Sequence, residues 1–252
     1  MRIGAPWDTD HSDRTRLAAA AGELDTDRVA VLTVTIGRRR GVVALWERVC
    51  VPLLRELRGS DGVGVAVEHA LSEGIRAGLD RLARTVGRPG APAGVLLAGA
   101  DEEAHCLALH ALRVALRERG QGSLFLGAAV PWPALRGAAR RIRPHTVVVW
   151  AQTTRTGRRP PLDALAADCR WARVYGAGPG WSTVVPPVGS AVDGAIPPVG
   201  SAVDGAIPPV GSAVDGVLPP ASAWLSSLPV ALLACRVPGD VNHIRNETVP
   251  YR

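Results

Sequence analysis

The sequence contains no lysine, so all 29 of its basic residues are arginine. Alanine, glycine and arginine dominate the composition, a bias that is typical of a GC-rich genome. The net charge is +6, and the arginines are spread along the chain instead of forming one basic stripe. We therefore expect no direct binding to DNA.

Cysteine is scarce, and no two cysteines form a CxxC pair, which excludes the common zinc-ribbon and thiol-redox motifs. The four cysteines lie far apart in apolar surroundings, so we expect reduced thiols in a cytoplasmic protein. No apolar run reaches the roughly 18 residues of a membrane span, and the polar, acidic N-terminus is unlike a secretory signal. Walker, Ser-His-Asp and zinc-protease patterns are also missing, so the sequence predicts a protein that is not an enzyme in its own right.

Aromatic residues make up only 4% of the chain, so a core has to be built from aliphatic side chains, which are ample at 47% hydrophobic residues. After a polar tail at 1–12, the apolar spacing of residues 13–87 predicts four amphipathic helices. These cover about 13–24, 27–38, 42–58 and 65–86. Asp25 or Thr26 can cap the second helix, and Pro52 should bend or split the third. Short connections predict a four-helix bundle, followed by a Pro/Gly linker at 88–92.

Residues 93–236 show a different pattern, in which short apolar strands alternate with helices. We expect strands at 94–98, 123–126, 146–150 and 171–175 and helices at 104–119, 133–141 and 162–169. This alternation predicts a Rossmann-like (flavodoxin-like) parallel α/β domain with a fifth strand still to come. A last helix at about 220–236 and a polar tail at 237–252 follow. The chain as a whole is therefore predicted to be α+α/β.

An eleven-residue unit, PPVGSAVDGAI, repeats at 186–196 and 197–207, and a nearly identical copy follows at 208–218. Its prolines and glycines exclude a coiled coil. Two interpretations remain: a small β-solenoid, or a recent duplication that leaves two surplus copies as a surface loop. The near-identity of the copies favours the duplication.

The segment from Gly94 to Leu116 predicts a strand, a loop and a helix, with His105 at the junction. Three acids, Asp101, Glu102 and Glu103, are expected in the first helical turn, where the helix dipole favours negative charge. Ligands of open α/β sheets bind at this carboxyl end of the strands. His105 is therefore the leading candidate for a functional residue, and the alternative is a polar residue near a helix N-terminus without a ligand.

The order of parts, a helical bundle, a linker and a parallel sheet with a histidine after its first strand, resembles the cobalamin-binding module of methionine synthase and, more closely, that of MerR-type light-sensing repressors. The family's Asp/Glu-x-His-x-x-Gly signature corresponds to Glu103-Ala104-His105-Cys106-Leu107-Ala108, with alanine in place of the glycine. The repressors' bundle motif, a Trp followed at a fixed distance by Glu-His, corresponds to Arg58 and then Glu68-His69. Gly178-Pro179-Gly180 stands at the family's glycine-rich turn, and Ala151 stands at its serine after the third strand.

The resemblance runs from Leu17 to about Gly180, which leaves too few residues before it for the MerR DNA-binding domain. It implies cobalamin as the cofactor, in its adenosyl or methyl form. His105 would be the lower axial ligand of the cobalt, and Glu103 would hold the other ring nitrogen. The bundle would cover the opposite face, with Glu68 and with His69 as a possible upper axial ligand. Gly178 and Gly180 would let the backbone approach the nucleotide tail.

The resemblance implies a cobalamin-binding regulatory or sensor protein that acts through self-association or a partner regulator, with no membrane contact. One alternative is a corrinoid carrier subunit for methyl transfer, and another is a degenerate module that serves only as an interaction domain. Arg58, Ala108, Ala151 and the repeat insertion at 186–218 favour the degenerate module. Among the site residues, His69 is equally compatible with a solvated helix face, and ordinary turn chemistry is enough to explain Gly178–Gly180. His110, one turn past His105, could reach it, but the pattern favours a place on the surface of the helix.

Overall fold

The computed structural model describes residues 6–57, 61–86 and 94–181 of the chain, with the side chains of residues 6–8 left out. Predictions that concern Arg58, the linker at 88–92, the fifth strand, the repeat at 186–218, the last helix and the C-terminal tail lie outside these residues. Residues up to Leu82 form one compact unit, and a second begins at Ala83. Among the described helices, none is long and apolar enough to cross a membrane.

The first unit is helical. It contains α1 (Pro6–Gly22), α2 (Thr26–Arg40), α3 (Val42–Leu45), a π-helical turn (Trp46–Cys50), α4 (Val51–Glu56) and α5 (Gly62–Thr85), the last of which continues into the second unit. The sequence predicts that the first helix starts at residue 13, after a polar tail at 1–12, but α1 begins at Pro6 and includes part of that tail. The predicted cap of α2 is confirmed, because the Asp25 side chain accepts a hydrogen bond of 2.8 Å from the Arg28 amide.

The predicted third helix is divided as its proline suggested. Pro52 has no N–H to donate to the carbonyl of Arg48, and the π-helical turn directly before it absorbs the break. Trp46 and Val49 of the turn are buried, as is Leu53 of α4, so both segments keep one face packed in the core. One predicted helix is therefore three consecutive helical segments.

Two glycines set the contact between α2 and α5. A Cβ atom added at Gly74 would lie 2.5 Å from Val29 Cβ, and one added at Gly78 would lie 2.6 Å from Thr33 Cβ. The helices therefore approach each other more closely than alanine would allow. The predicted core stripe of α5 is buried over its middle, at Leu71, Ile75, Leu79 and Leu82.

The second unit contains a parallel sheet of four strands, in the order β2-β1-β3-β4, among the described residues. The elements are β1 (Val95–Gly99), α6 (Leu107–Glu118), β2 (Ser123–Phe125), α7 (Trp132–Ile142), β3 (Thr146–Trp150), α8 (Arg159–Asp168) and β4 (Arg173–Ala177). The predicted parallel, Rossmann-like α/β arrangement is thus confirmed for these strands, and β3 has the predicted bounds. All residues of β1 and β3 are buried, which is typical of central strands covered on both faces.

Alternation along the strands divides the sheet into two faces. One face, with Leu96, Ala98, Val147 and Val149, packs in a core cluster with residues of α7 and α8 such as Leu135. The opposite face carries Leu97, Val148 and Trp150, and α6 contacts β1 and β2. Because parallel strands end at the same edge, the loops after β1, β2, β3 and β4 meet at the carboxyl edge.

Candidate functional site

The loop between β1 and α6 carries the predicted site histidine. His105 lies two residues before α6, at the strand-to-helix junction, as predicted. The prediction for the acids is wrong: α6 begins at Leu107, its first turn contains no acid, and Glu102 and Glu103 lie in the loop before it. Glu102 has a left-handed backbone (φ 63°), which prevents the helix from starting there. The loop is thus free to turn Glu103 inward.

The Glu103 carboxylate organises this loop. Its side chain is only 1% exposed. Its Oε1 accepts hydrogen bonds from the backbone amide of His105 (2.9 Å) and lies 2.8 Å from the Nδ1 of the same residue. Its Oε2 accepts from the Gln152 amide (2.7 Å) and from the Thr156 hydroxyl (2.5 Å). One buried carboxylate therefore ties the loop after β1 to the loop after β3.

These hydrogen bonds decide the charge of Glu103. Burial alone would raise the pKa of the carboxyl group, but the hydrogen bonds from His105, Thr156 and the Gln152 amide overcome it and lower the pKa to about 2. Glu103 is therefore ionised at neutral pH and can only accept. A neutral His105 then carries its proton on Nδ1, which leaves Nε2 as the nitrogen with the lone pair for a metal.

The His105 ring extends outward from this anchor, with its side chain 71% exposed. Next to it, Glu102 Oε2 lies 3.4 Å from the guanidinium nitrogens of both Arg155 and Arg158, which belong to the loop after β3. These ion pairs are exposed and worth little energy, but they join the same two loops a second time. The imidazole is therefore fixed at one nitrogen and accessible from solvent.

Gly178 and Gly180 allow two loops to approach closely. Gly178 has φ +101°, and a Cβ atom there would lie 2.4 Å from the Ala151 carbonyl oxygen. A Cβ on Gly180 would lie 2.3 Å from the Thr153 carbonyl oxygen, and the Gly180 amide donates to the Ala151 carbonyl at 2.9 Å. The glycines thus pack the chain after β4 against the loop after β3. Their contact with a nucleotide tail stays a prediction.

Glu68 and His69 lie on α5 in the helical unit. His69 is exposed and Glu68 is half-buried. The exposure of His69 is compatible with a solvated helix face and equally with a ligand-binding residue. His110, predicted on the surface of its helix, is instead buried, and its ring packs edge-on against Phe125 with centroids 4.6 Å apart.

The sequence analysis missed Thr156 and Gln152. Ala151 is buried and has no hydroxyl, and Thr156 provides the side-chain hydroxyl that reaches Glu103. Thr156 and Glu103 are 53 positions apart in the sequence, so no local motif signals their contact. The described residues contain no group of three or more His, Cys, Asp or Glu side chains placed to hold a metal ion.

Comparisons with known proteins give structural neighbours alone: no protein-family model matches the chain, and no curated protein does. One solved structure that it resembles is a novel cobalamin-binding protein from Desulfitobacterium hafniense DCB-2, at 18% identity and a TM-score of 0.33, over 64% of this chain and 82% of that one. Another is the methanol:cobalamin methyltransferase complex MtaBC from Methanosarcina barkeri, at 14% identity and a TM-score of 0.29, over 71% and 74% of the two chains. These neighbours are cobalamin-binding proteins, but at such scores the likeness carries no argument for this chain.

Proposed function

We propose that the chain is a cobalamin-binding sensor or regulatory protein of the cytoplasm, in which His105 ligates the cobalt through Nε2. The observation that carries the proposal is the exposed imidazole whose Nδ1 lies 2.8 Å from a buried, ionised carboxylate. Protein histidines that bind metals commonly donate their second ring N–H to such a partner, which fixes the tautomer and raises the basicity of the ligand. Its place on the carboxyl edge of a parallel sheet fits a ligand site.

The donor set suits cobalamin. A corrinoid brings its own ring ligands for the cobalt, so the imidazole of His105 would be the one ligand that the protein has to supply, and imidazole suits first-row transition metals. When bound, cobalamin supplies a cobalt whose axial positions exchange ligands. The chain's own residues orient the imidazole. Glu103 orients His105, and Thr156 and the Gln152 amide hold Glu103.

The sensor role rests on the helical unit. We propose that α1 to α5 act as the four-helix bundle of the MerR-type light sensors that the sequence resembles, and that Glu68 and His69 contribute to cofactor binding as they would in those sensors. Adenosylcobalamin or methylcobalamin would be the form bound. When bound, such a form would supply light-sensitive chemistry, His69 would be a second histidine able to hold the cobalt, and the expected output is a change in self-association or in a partner regulator. In this role the protein binds no DNA by itself and is not an enzyme.

The first experiment records visible spectra and affinities of adenosylcobalamin and methylcobalamin with the wild type and His105→Ala. We expect the wild type to shift the absorption bands and His105→Ala to bind at least about tenfold more weakly, with bands of the cofactor lacking a protein ligand. His145→Ala is the matched control, because His145 lies before β3 at the opposite edge of the sheet. Equal affinity and spectra for wild type and His105→Ala would overturn the ligation.

The second experiment illuminates the adenosylcobalamin complex with green light. A stable photoproduct that differs from free hydroxocobalamin is expected for the wild type and for His11→Ala, an exposed histidine of α1 in the same unit. His69→Ala should give a different photoproduct. If His69→Ala gives the wild-type spectrum and elution volume, the histidine switch is wrong. Binding without any photoproduct, together with methyl transfer to a thiol, would favour the carrier alternative instead.

A further inference from the structure

Trp150 has an indole N–H that the fold does not satisfy. The residue is 2% exposed, and its Nε1 is buried without a hydrogen-bond partner. Within the described residues, Trp46 of the helical unit is the other tryptophan in this condition. By contrast, Trp181 in the same unit as Trp150 donates its Nε1 proton to the Ala177 carbonyl at 3.0 Å. A buried donor without an acceptor is costly, and native structures rarely keep one without a reason.

The position of Trp150 in the sheet suggests what the donor is for. Trp150 is the last residue of β3, and in register it stands between Gly99 of β1 and Ala177 of β4. Its two cross-strand neighbours thus bring no side chain larger than a methyl group to this part of the face. This face is opposite to the closed cluster with α7 and α8, and it meets the carboxyl edge where the His105 loop begins.

The glycine turn after β4 also comes close to this ring. A Cβ atom on Gly178 would lie 3.0 Å from Trp150 Cδ2 and Cε2, and Cε2 is bonded to Nε1. The chain therefore packs against the fused bond of the indole, one atom away from the N–H, with a residue that adds no side chain. The Gly178 and Ala151 backbones are already packed against each other here.

We propose that the Trp150 indole N–H donates a hydrogen bond to an oxygen of the bound corrinoid, an amide of the ring or the phosphodiester of its nucleotide arm. The inference rests on the proposed cobalamin function and adds to it a binding residue on the sheet itself. It gives the ligand a second anchor, independent of the axial imidazole of His105.

The test compares the wild type with Trp150→Phe, which keeps an aromatic ring and removes the donor. The control is Trp171→Phe, because Trp171 lies before β4 at the amino edge of the same sheet. The probes are methylcobalamin and cobinamide, which lacks the nucleotide arm. Trp150→Phe should lose about tenfold in affinity for methylcobalamin, and Trp171→Phe should match the wild type. A loss for methylcobalamin alone assigns the acceptor to the nucleotide arm, and an equal loss for both probes assigns it to the ring amides.

A second measurement does not depend on the variant folding. In the wild type labelled with 15N at its indoles, the Trp150 proton signal should move downfield and exchange more slowly when methylcobalamin binds. If the wild type binds methylcobalamin but this signal stays in place, or if Trp150→Phe binds as tightly, the inference is overturned while the proposed function stands. If the wild type binds no corrinoid at all, both fail together.

Discussion

The two edges of the parallel sheet each carry a histidine, and the two imidazoles have different partners. At the carboxyl edge, His105 Nδ1 contacts the buried carboxylate of Glu103, which three further hydrogen bonds hold in place. At the amino edge, His145 Nδ1 lies 2.9 Å from the hydroxyl of Thr146, its own neighbour in sequence. Burial there lowers the pKa of His145. Of these two histidines, His105 is the one whose Nδ1 meets a fixed anion, and this difference makes it the ligand candidate.

The largest expected effect comes from removing that anion. Glu103→Ala should destabilise the protein by about 4 kcal/mol, because it leaves the half-buried Gln152 amide and the buried Thr156 hydroxyl without their acceptor. Glu102→Ala, at the exposed neighbour, should cost less than about 1 kcal/mol. Urea denaturation of the two variants and the wild type measures both. Similar losses for the two would show that Glu103 is not the anchor of this edge.

Acid should reproduce much of this loss. The pKa of Glu103 is about 2 in the folded protein, below the ordinary value of 4.5. A carboxyl group with a lowered pKa contributes its full stability above the unfolded value, and the contribution falls as the pH drops from about 4.5 toward 2. The shift corresponds to about 3 kcal/mol at neutral pH. The difference in unfolding free energy between wild type and Glu103→Gln should therefore shrink below pH 4.5, as measured by urea denaturation. A difference that stays constant with pH would argue against a lowered pKa of Glu103.

Glycines at the two edges provide the next comparison. Gly178 and Gly120 both have positive φ, but a Cβ on Gly120 meets nothing within 4 Å, whereas one on Gly178 meets the Ala151 carbonyl. Gly120→Ala should cost about 1 kcal/mol for backbone strain alone. Gly178→Ala should cost about 2 kcal/mol more, measured as the change in unfolding free energy. Equal costs would mean that the Ala151 backbone can move away from a Cβ atom at position 178 without a measurable loss of stability.

Among the changes that weaken the hydrogen bonds of Glu103, the smallest change in stability is expected at Thr156. Thr156→Val keeps the shape of the side chain and removes one donor to Glu103, so it should cost about 1 kcal/mol. Its effect on cobalamin affinity should be larger in relative terms, about tenfold, since the support of a metal-bound histidine is weakened. Thr156→Ser should restore the affinity and the spectrum. Failure of serine to rescue would indicate a packing role instead.

The sequence predicted the elements better than their contacts. Strand β3, the cap at Asp25, the break near Pro52 and the junction position of His105 follow from local pattern, and all four are seen. The sequence predicts Asp101, Glu102 and Glu103 in the first turn of α6, because the helix dipole favours negative charge there. The buried carboxylate gains more from donors in two loops than from the helix dipole, so the helix starts later.

Contacts between distant residues explain the rest. Thr156 meets Glu103 only because parallel strands end at one edge, which no spacing rule in the sequence expresses. His110 has the helical spacing of a surface residue, but it is buried because Phe125 of β2 packs against it. The predicted roles of His69, Gly178 and Gly180 toward cobalamin stay predictions.

The tie between Glu103 and Thr156 also has a consequence for the order of events during synthesis. His105 leaves the ribosome well before Thr156, and until the later segment has docked, the carboxylate that orients the imidazole lacks two of its donors. A nascent chain that ends before this point holds a histidine with no fixed direction. Under the proposed function, the fully supported imidazole would therefore be presented to a cofactor only after the third strand and its loop are in place.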